Sequence, residues 1–259
     1  MKNKIPNKFK LNKILNYLSY KIHNNGIKNL ALIKVSSIFI KFLKEYKKLK
    51  QDGDKFDLSI NDMQPYFFDR TDLTPIEPVY FFQDIWFAKK IFELKPKIHY
   101  DIGSSVKTLS IISQFVPVNM VDIRPIDVKV ENFNFIKGDI TNLPFENNSI
   151  DSLSSLCVIE HIGLGRYGDE IDSRGSEKAI DEIKRILKPK GNLFISLPVD
   201  EKNKIYFNAH RAFTREYIMA LLNGLYLVEE KYIYGFGIFP SYCKEKGFGT
   251  GLYHFSKNS

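Results

Sequence analysis

Three acidic residues in the middle of the sequence each follow an apolar run and precede a polar loop. Asp101 ends the run in KIHYDIGSS, Asp122 the run in NMVDIRP, and Asp139 the run in FIKGDITNLPF. A carboxylate at the end of a strand can accept hydrogen bonds from ribose hydroxyls or from the amino group of a base. The three acids in this order therefore predict a site for a nucleoside-containing ligand.

The turn after Asp101 consists of small residues, Gly103, Ser104 and Ser105. Such a turn lets the backbone approach a ligand closely at the N-terminus of the following helix. The residues after the second and third acids, Ile123 and Ile140, are predicted to line the same site, with Ile140 covering an adenine ring. The ordered set is far more specific than any one of its members.

A possible general base follows the fourth apolar run, in CVIEHIGLGRYGD. His161 has an ordinary pKa of about 6.5, which suits the removal of a proton from a hydroxyl. Glu160 could orient its ring, and Cys157 is predicted to line the cofactor site. The alternative is that His161 packs or hydrogen-bonds locally beside the cofactor.

Further polar residues are predicted to contact the molecule on which the protein acts. Arg166 and Tyr167 lie in a glycine-rich stretch, residues 163–175, and a loop of this kind often shapes a substrate site. His210 and Arg211 could bind an anionic substrate or, alternatively, anchor a loop to a helix. Gln83 stands inside the aromatic run VYFFQDIW and is predicted to contact the cofactor, because a polar residue there needs a partner.

These residues require a sheet to position them, and short apolar runs alternate with helical ones from Pro96 onward. The pattern predicts an α/β fold of three layers, with a mostly parallel sheet, an antiparallel last strand and helices on both faces. Helices are expected at about 176–187 and from Thr214. Strands are expected at 98–102, 120–123, 133–136, 150–156, 192–197, 226–234 and 252–255.

Charge and composition predict two regions. The first 50 residues hold 13 lysines and one acidic residue, so the chain's positive charge comes from this segment. Residues 1–60 are expected to form a basic helical extension, and residues 61–259 the cofactor-binding domain. The lysines could meet a membrane surface, nucleic acid or an acidic partner, or simply form a solvated face. The helices of this extension could also join copies of the chain.

Several classes of protein are not indicated. Cys157 and Cys243 are far apart and have no histidine partner at metal-ligand spacing, so neither a disulfide framework nor a metal site is expected. The start of the chain does not have the pattern of a secretory signal, and no apolar segment reaches the roughly 20 residues that span a bilayer. A cytoplasmic location fits these features.

Together the motifs DIGSS, VDIRP, GDITNLPF, IDSLSSLCVIEHI and EIKRILKPKGNLFISLP resemble, in order, those of Rossmann-like class I methyltransferases, over residues 96–255. The resemblance implies that the cofactor is S-adenosylmethionine, which leaves as S-adenosylhomocysteine. It also implies that Asp101 and Gly103 hold the methionine part, Asp122 the ribose and Asp139 the adenine. Ser105 and Lys107 stand where the family usually has two further glycines.

The combination of DIGSS, EHIGLGRYGD and VYFFQDIW also resembles a poorly characterised bacterial branch, some of it associated with surface-polysaccharide or capsule genes. This finer resemblance suggests O-methylation of a small sugar-linked acceptor such as a sugar nucleotide. A methyltransferase acting on nucleic acid is an alternative that would use the basic N-terminal segment. Base amines are disfavoured as its target, since amine-methylating members carry an Asn- or Asp-Pro-Pro-aromatic motif where this chain reads CVIEH, but ribose is not. A nicotinamide dehydrogenase would need G-x-G-x-x-G at the first turn, which DIGSSVK does not supply. A non-catalytic cofactor-binding or scaffold protein remains a further alternative.

Overall fold

The structure, a computed structural model of the 259-residue chain, describes residues 28–53, 55–64, 66 and 69–258, with side chains described from Ser37 onward. The chain divides into two compact units, Met1–Pro75 and Ile76–Ser259. The helix expected in the first 27 residues lies outside the described residues. Among those described, no helix combines the length and apolarity needed to cross a membrane.

In the first unit, helix α1 spans Lys28–Asp52. The segment that follows returns to this helix, since the Tyr46 hydroxyl donates to the carbonyl of Leu58 at 3.4 Å and Arg70 pairs with Glu45 at 3.2 Å. Most of the lysines along the described part of α1 are exposed. The basic extension therefore contains a long helix with a charged, solvated surface.

The second unit is built on an eight-stranded sheet in the order β3-β2-β1-β4-β5-β10-β8-β9. The first five strands in that order are parallel to one another, while β10 is antiparallel to both of its neighbours and β9 is antiparallel to β8. The strands are β1 His99–Ile102, β2 Val118–Asp122, β3 Phe133–Lys137, β4 Ile150–Leu156, β5 Leu187–Val199, β8 Leu225–Tyr234, β9 Gly237–Phe239 and β10 Gly249–Lys257. A separate antiparallel hairpin is formed by β6 Lys204–Tyr206 and β7 His210–Ala212.

Four helices complete this unit: α2 Pro78–Leu94, α3 Val106–Ile112, α4 Gly175–Ile186 and α5 Arg215–Leu221. Local sequence explains their starts. Pro78 fits the first turn of α2, Ser105 caps α3 and Thr214 caps α5 by accepting from the N–H of Tyr217. The predicted three-layer fold with a mostly parallel sheet is thus confirmed.

Two apolar clusters hold the helices to the sheet. One contains Phe87 and Leu109 together with Phe194 of β5. The other contains Ile183 and Tyr253, among many fully buried aliphatic and aromatic side chains. Burying each large apolar side chain contributes about 1.5–3 kcal/mol to the free energy of folding. These clusters therefore hold the sheet in place, including the edge at which its parallel strands end.

The helical spacing of Phe81, Ile85, Ala88 and Phe92 predicts that these residues form the buried stripe of α2, and this prediction is wrong. Phe81, Ile85 and Phe92 are 45%, 55% and 62% exposed. The buried face instead carries Gln83, Trp86, Phe87 and Ile91. Both faces of this helix carry large apolar residues. The spacing of its apolar residues therefore does not show which face is buried.

Candidate functional site

A pocket of about 550 Å³ opens at the carboxyl ends of β1, β2 and β4. In open α/β sheets this edge is where ligands bind. The residues predicted from the sequence that line the pocket are Gly103, Asp122, Ile123, Asp139, Ile140, Cys157, His161 and Tyr167. The sheet therefore brings the second and third acids, the glycine turn and the histidine to one cavity.

The turn after β1 requires glycine at its centre. Gly103 has a φ of 72°, and a Cβ there would lie 2.9 Å from a methyl carbon of Val158. Both the left-handed backbone and the close approach exclude larger residues. The backbone of this turn consequently borders the pocket directly.

Asp101 is fully buried and shapes the turn from inside. Its carboxylate accepts from the Ser104 N–H at 2.9 Å, the Ser104 hydroxyl at 2.6 Å and the Ser154 hydroxyl. Burial raises the pKa of Asp101 to about 6, although these hydrogen bonds oppose the rise. Asp101 and Ser104 thus stand behind the pocket wall, and Ser105 caps α3 beside it.

A buried histidine extends this network into the sheet. The two ring nitrogens of His99 each lie 2.8 Å from a hydroxyl, one of Ser152 and the other of Ser154. Burial lowers the pKa of His99 to about 3, so its ring is neutral. The turn is therefore held by polar contacts that reach from β1 to β4.

Asp122 ends β2 at the pocket wall. Its Oδ1 atom accepts from the backbone N–H of Arg124 at 2.8 Å, and the Arg124 guanidinium pairs with the carboxylate at 3.3 Å. The same guanidinium lies 4.6 Å from the ring centre of Tyr167. Arg124 thereby connects the loop after β2 with the loop after β4, and nothing in the sequence pattern indicated this role.

Asp139 follows β3 and forms a tight local turn. One carboxylate oxygen accepts from both the N–H and the hydroxyl of Thr141, each at 2.8 Å. The next residue, Ile140, is 5% exposed. This turn fixes a carboxylate beside an apolar surface, the combination expected around an adenine ring.

Cys157 lines the pocket with a left-handed φ of 53°. Its thiol donates to Gln83 Oε1 at 3.1 Å, and the Ser196 hydroxyl donates to the same oxygen at 2.5 Å. Burial raises the pKa of the Cys157 thiol, so the thiol is protonated. Gln83 accepts from these two residues, its Nε2 atom donates to Asp84 Oδ1 at 3.3 Å, and it does not line the pocket as predicted.

His161 is fixed by its Nδ1 atom, which lies 2.6 Å from the carbonyl oxygen of Ala209. A carbonyl only accepts, so Nδ1 carries the proton and Nε2 carries the lone pair. Burial lowers the pKa of His161 to about 4. The imidazole is therefore neutral at physiological pH, with Nε2 3.8 Å from Glu160 Oε1.

Glu160 itself is 2% exposed. Its Oε2 atom has no hydrogen-bond partner among the residues that the structure describes. Burial raises the pKa of this carboxyl to about 8. Glu160 is therefore a neutral acid beside the neutral ring of His161.

The two arginines predicted to contact the acceptor differ in burial and in their partners. Arg166 is exposed, donates to the Ala209 carbonyl at 3.0 Å, and lies 5.1 Å from the ring centre of Tyr167, which lines the pocket. Arg211 is buried and donates to the carbonyls of Ile162 at 2.5 Å and Asp172 at 3.0 Å. The contacts of Arg211 thus join β7 to the loop after β4.

Asp169, which belongs to the glycine-rich loop expected to shape the acceptor site, has a structural role that the sequence did not specify. Asp169 lines the pocket and accepts from the backbone N–H groups of Gly163 at 2.7 Å, Tyr167 at 3.2 Å and Gly165 at 3.3 Å. An aspartate that binds several N–H groups of its own loop holds that loop in one shape. Its position among four glycines was the available signal.

The sequence matches one family model over part of its length. A family model described as a Caenorhabditis protein of unknown function, DUF268, matches residues 119–234, which run from β2 to the end of β8. No curated protein matches the sequence.

Solved structures show what the fold resembles. A protein from Galdieria sulphuraria, provisionally assigned as a sarcosine dimethylglycine methyltransferase, is 15% identical, with a TM-score of 0.52, over 69% of this chain and 86% of its own. The N-methyltransferase NodS from Bradyrhizobium japonicum, solved with S-adenosylhomocysteine, is 13% identical, with a TM-score of 0.51, over 71% and 89%. The [4+2]-cyclase SpnF is 12% identical, with a TM-score of 0.50, over 67% and 80%. The second unit therefore has the Rossmann-like fold of class I methyltransferases.

Proposed function

We propose that this protein is an S-adenosylmethionine-dependent methyltransferase that methylates a hydroxyl of a small, sugar-linked acceptor. The carrying observation is that Gly103, Asp122, Asp139 and His161, which come from four successive strand ends, line one pocket. The fold alone would not decide this, because one structure of similar fold is a cyclase.

The residues of the pocket fit the cofactor. Asp122 would accept hydrogen bonds from the two ribose hydroxyls, and Asp139 from the adenine amino group, with Ile140 and Ile123 as apolar cover. The Gly103 turn, which has no room for a Cβ, would admit the methionine part beside the backbone. Asp101 contributes to this binding by holding the turn in shape.

When bound, the cofactor supplies an electrophilic methyl group, and the protein has to align the acceptor and receive its proton. Nε2 of His161 has a free lone pair and is the proposed proton acceptor. Glu160 lies 3.8 Å from Nε2, beyond hydrogen-bond distance, and is proposed to hold the imidazole in place by packing against it as a neutral acid, which leaves the Nε2 lone pair available. The lowered pKa keeps the ring neutral at physiological pH but makes it a weaker base than an ordinary histidine, so the proposed proton transfer depends on the positioning of Nε2.

We propose a hydroxyl as the methylated group because the site offers His161 as a proton acceptor. A neutral amine already attacks without help, whereas a hydroxyl gains from a partner that takes its proton. Arg124 lines the pocket, and the guanidinium groups of Arg124 and Arg166 both lie near the ring of Tyr167, which would suit an acceptor bearing phosphate. A sugar nucleotide combines these two features, in line with the resemblance to the surface-polysaccharide branch.

Calorimetric titration of the purified protein with S-adenosylhomocysteine, with NAD as the control ligand, tests the proposal. Saturable binding of the first ligand alone is expected. Absence of binding to both would contradict the proposal and favour a scaffold role. Binding of NAD alone would favour a dehydrogenase despite the sequence of the first turn.

A further inference from the structure

Five aromatic rings from three separate segments meet beside the pocket, and we call them the aromatic strip: Tyr167, His161, His210, Tyr206 and Phe248. Within the loop after β4, the rings of Tyr167 and His161 are 5.6 Å apart, and His161 is 6.5 Å from His210. His210 lies 4.9 Å from Tyr206 and 5.6 Å from Phe248. The rings therefore form a continuous surface from β4 across the β6–β7 hairpin to the start of β10.

One end of the aromatic strip lies inside the pocket and the other faces solvent. Tyr167 and His161 line the pocket, whereas Tyr206 and Phe248 are 41% and 47% exposed. Exposed aromatic rings that adjoin a cavity often mark a ligand surface. A molecule whose reacting atom lies at His161 would extend naturally over His210 toward the two exposed rings.

The angles between the rings indicate the shape of this ligand. Tyr206 and Phe248 each make 41° with His210 and 81° with each other. Since these neighbouring rings are not parallel, a flat molecule cannot stack on them together. A puckered ring with C–H groups on its faces and hydroxyls at its edges can contact several tilted rings at once.

We propose that the aromatic strip binds a glycosyl group of the acceptor. This inference rests on the proposed function and specifies the outer part of the acceptor site. The polar border suits sugar hydroxyls, because Arg166 is exposed and its Nη1 atom lies beside His161 and the Ala209 carbonyl. An arginine has five N–H donors, more than its bond to Ala209 uses.

The hairpin that carries two of the rings is held in place before any ligand arrives. Asp200, which is 2% exposed, accepts from Lys204 at 2.8 Å and from the Tyr206 hydroxyl at 3.3 Å. The His161 bond to Ala209 fixes the hairpin from the pocket side. A preformed surface of this kind avoids an ordering cost when the sugar binds.

Saturation-transfer NMR on the full-length protein tests the proposal, with the methyl glycosides of glucose, galactose, mannose and N-acetylglucosamine as probes, each measured with and without S-adenosylhomocysteine. Transfer to ring C–H protons of at least one glycoside is expected. Phe248→Ala should weaken that glycoside's binding roughly three- to tenfold, as should Phe248→Leu, which keeps apolar volume but removes the ring. Phe248→Tyr should preserve binding.

Phe115 provides a matched control, because it is 44% exposed, much like Phe248, but follows α3 and is not part of the aromatic strip. Phe115→Ala should leave glycoside binding unchanged, and an equal loss would contradict the assignment.

The inference is overturned if no glycoside receives saturation while S-adenosylhomocysteine binds. It is also overturned if the protein self-associates through Phe248 without glycoside contact, which would make a second copy the occupant. Glycoside contact without cofactor binding would support the aromatic strip and contradict the proposed function.

Discussion

His161 and Ala209 join two segments that are far apart in sequence, through a contact of 2.6 Å between Nδ1 and the backbone carbonyl oxygen. This contact fixes the tautomer of the ring and leaves the Nε2 lone pair as its only basic position. One hydrogen bond therefore sets both the position of the hairpin and the direction in which His161 could take a proton.

His161→Ala should lower turnover on the true acceptor at least about a hundredfold, as expected for a lost general base. Affinity for S-adenosylhomocysteine, measured by calorimetry, should stay nearly unchanged. Near-normal turnover in this variant would refute the base assignment and leave His161 as a structural contact of the hairpin.

Asp122→Ala should weaken S-adenosylhomocysteine binding by about tenfold or more, because it removes paired hydrogen bonds to a partly buried ribose. Asp151 is a suitable control, since its side chain is 73% exposed, pairs with Lys188 and does not line the pocket. Asp151→Ala should bind like the wild type in the same titration. Equal affinity of the two variants would show that the ribose site is misplaced.

Glu160→Gln should change how stability depends on pH. The pKa of Glu160 is raised from about 4.5 in the unfolded chain to about 8 in the folded protein. Its contribution to the free energy of unfolding is therefore complete below pH 4.5 and is lost as the pH rises toward 8. The glutamine variant does not titrate and should gain about 2–4 kcal/mol relative to wild type between pH 4.5 and pH 8. Urea unfolding at both pH values measures this, and a constant difference would argue against a neutral Glu160.

Arg211→Lys should destabilise the protein by roughly 2–4 kcal/mol, because lysine cannot reach both the Ile162 and Asp172 carbonyls and leaves one unpaired. Arg166→Lys, at an exposed position, should cost less than about 1 kcal/mol. Urea midpoints of the two variants give the comparison. A stable Arg211→Lys protein with a raised KM would instead support binding of an anionic acceptor.

Gly103→Ala should reduce both stability and S-adenosylhomocysteine affinity. Alanine at positive φ costs roughly 1–2 kcal/mol, and the contact with Val158 adds to it. Gly235→Ala measures the cost of the positive φ alone, since Gly235 also has a positive φ but a Cβ there would have no atom within 4 Å. Thermal unfolding and calorimetry should show affinity lost only in the Gly103 variant.

Strand positions were predictable because each core strand is a short apolar run that ends in a polar turn. The Ile150–Leu156 strand has the predicted bounds, and most others differ by one to three residues at either end. The strand predicted at 192–197 proved much longer, because α4 ends at Ile186 and β5 begins at once with Leu187. Local patterns thus locate the centres of elements better than their ends.

The pocket was predictable only where its residues follow strand ends. Asp122 and Asp139 line it for that reason, and Gly103 lies in the first turn. Arg124 also follows a strand end and lines the pocket, but its contact with Tyr167, about forty residues further along the chain, is one that no local pattern encodes. The meeting of Phe248 with His210 likewise depends on β10 lying within the sheet.

Strand β10 has a consequence for the order of folding. It follows β8 and β9 in the chain, yet it lies between β5 and β8, so the β8–β9 pair cannot join the main sheet until residues 249–257 are in place. Lys257 at its end also donates to the carbonyls of Lys184 and Leu187, where α4 gives way to β5. Contacts between such distant segments form slowly. A nascent chain that has not yet added this strand would therefore expose two unpaired strand edges and be prone to aggregate.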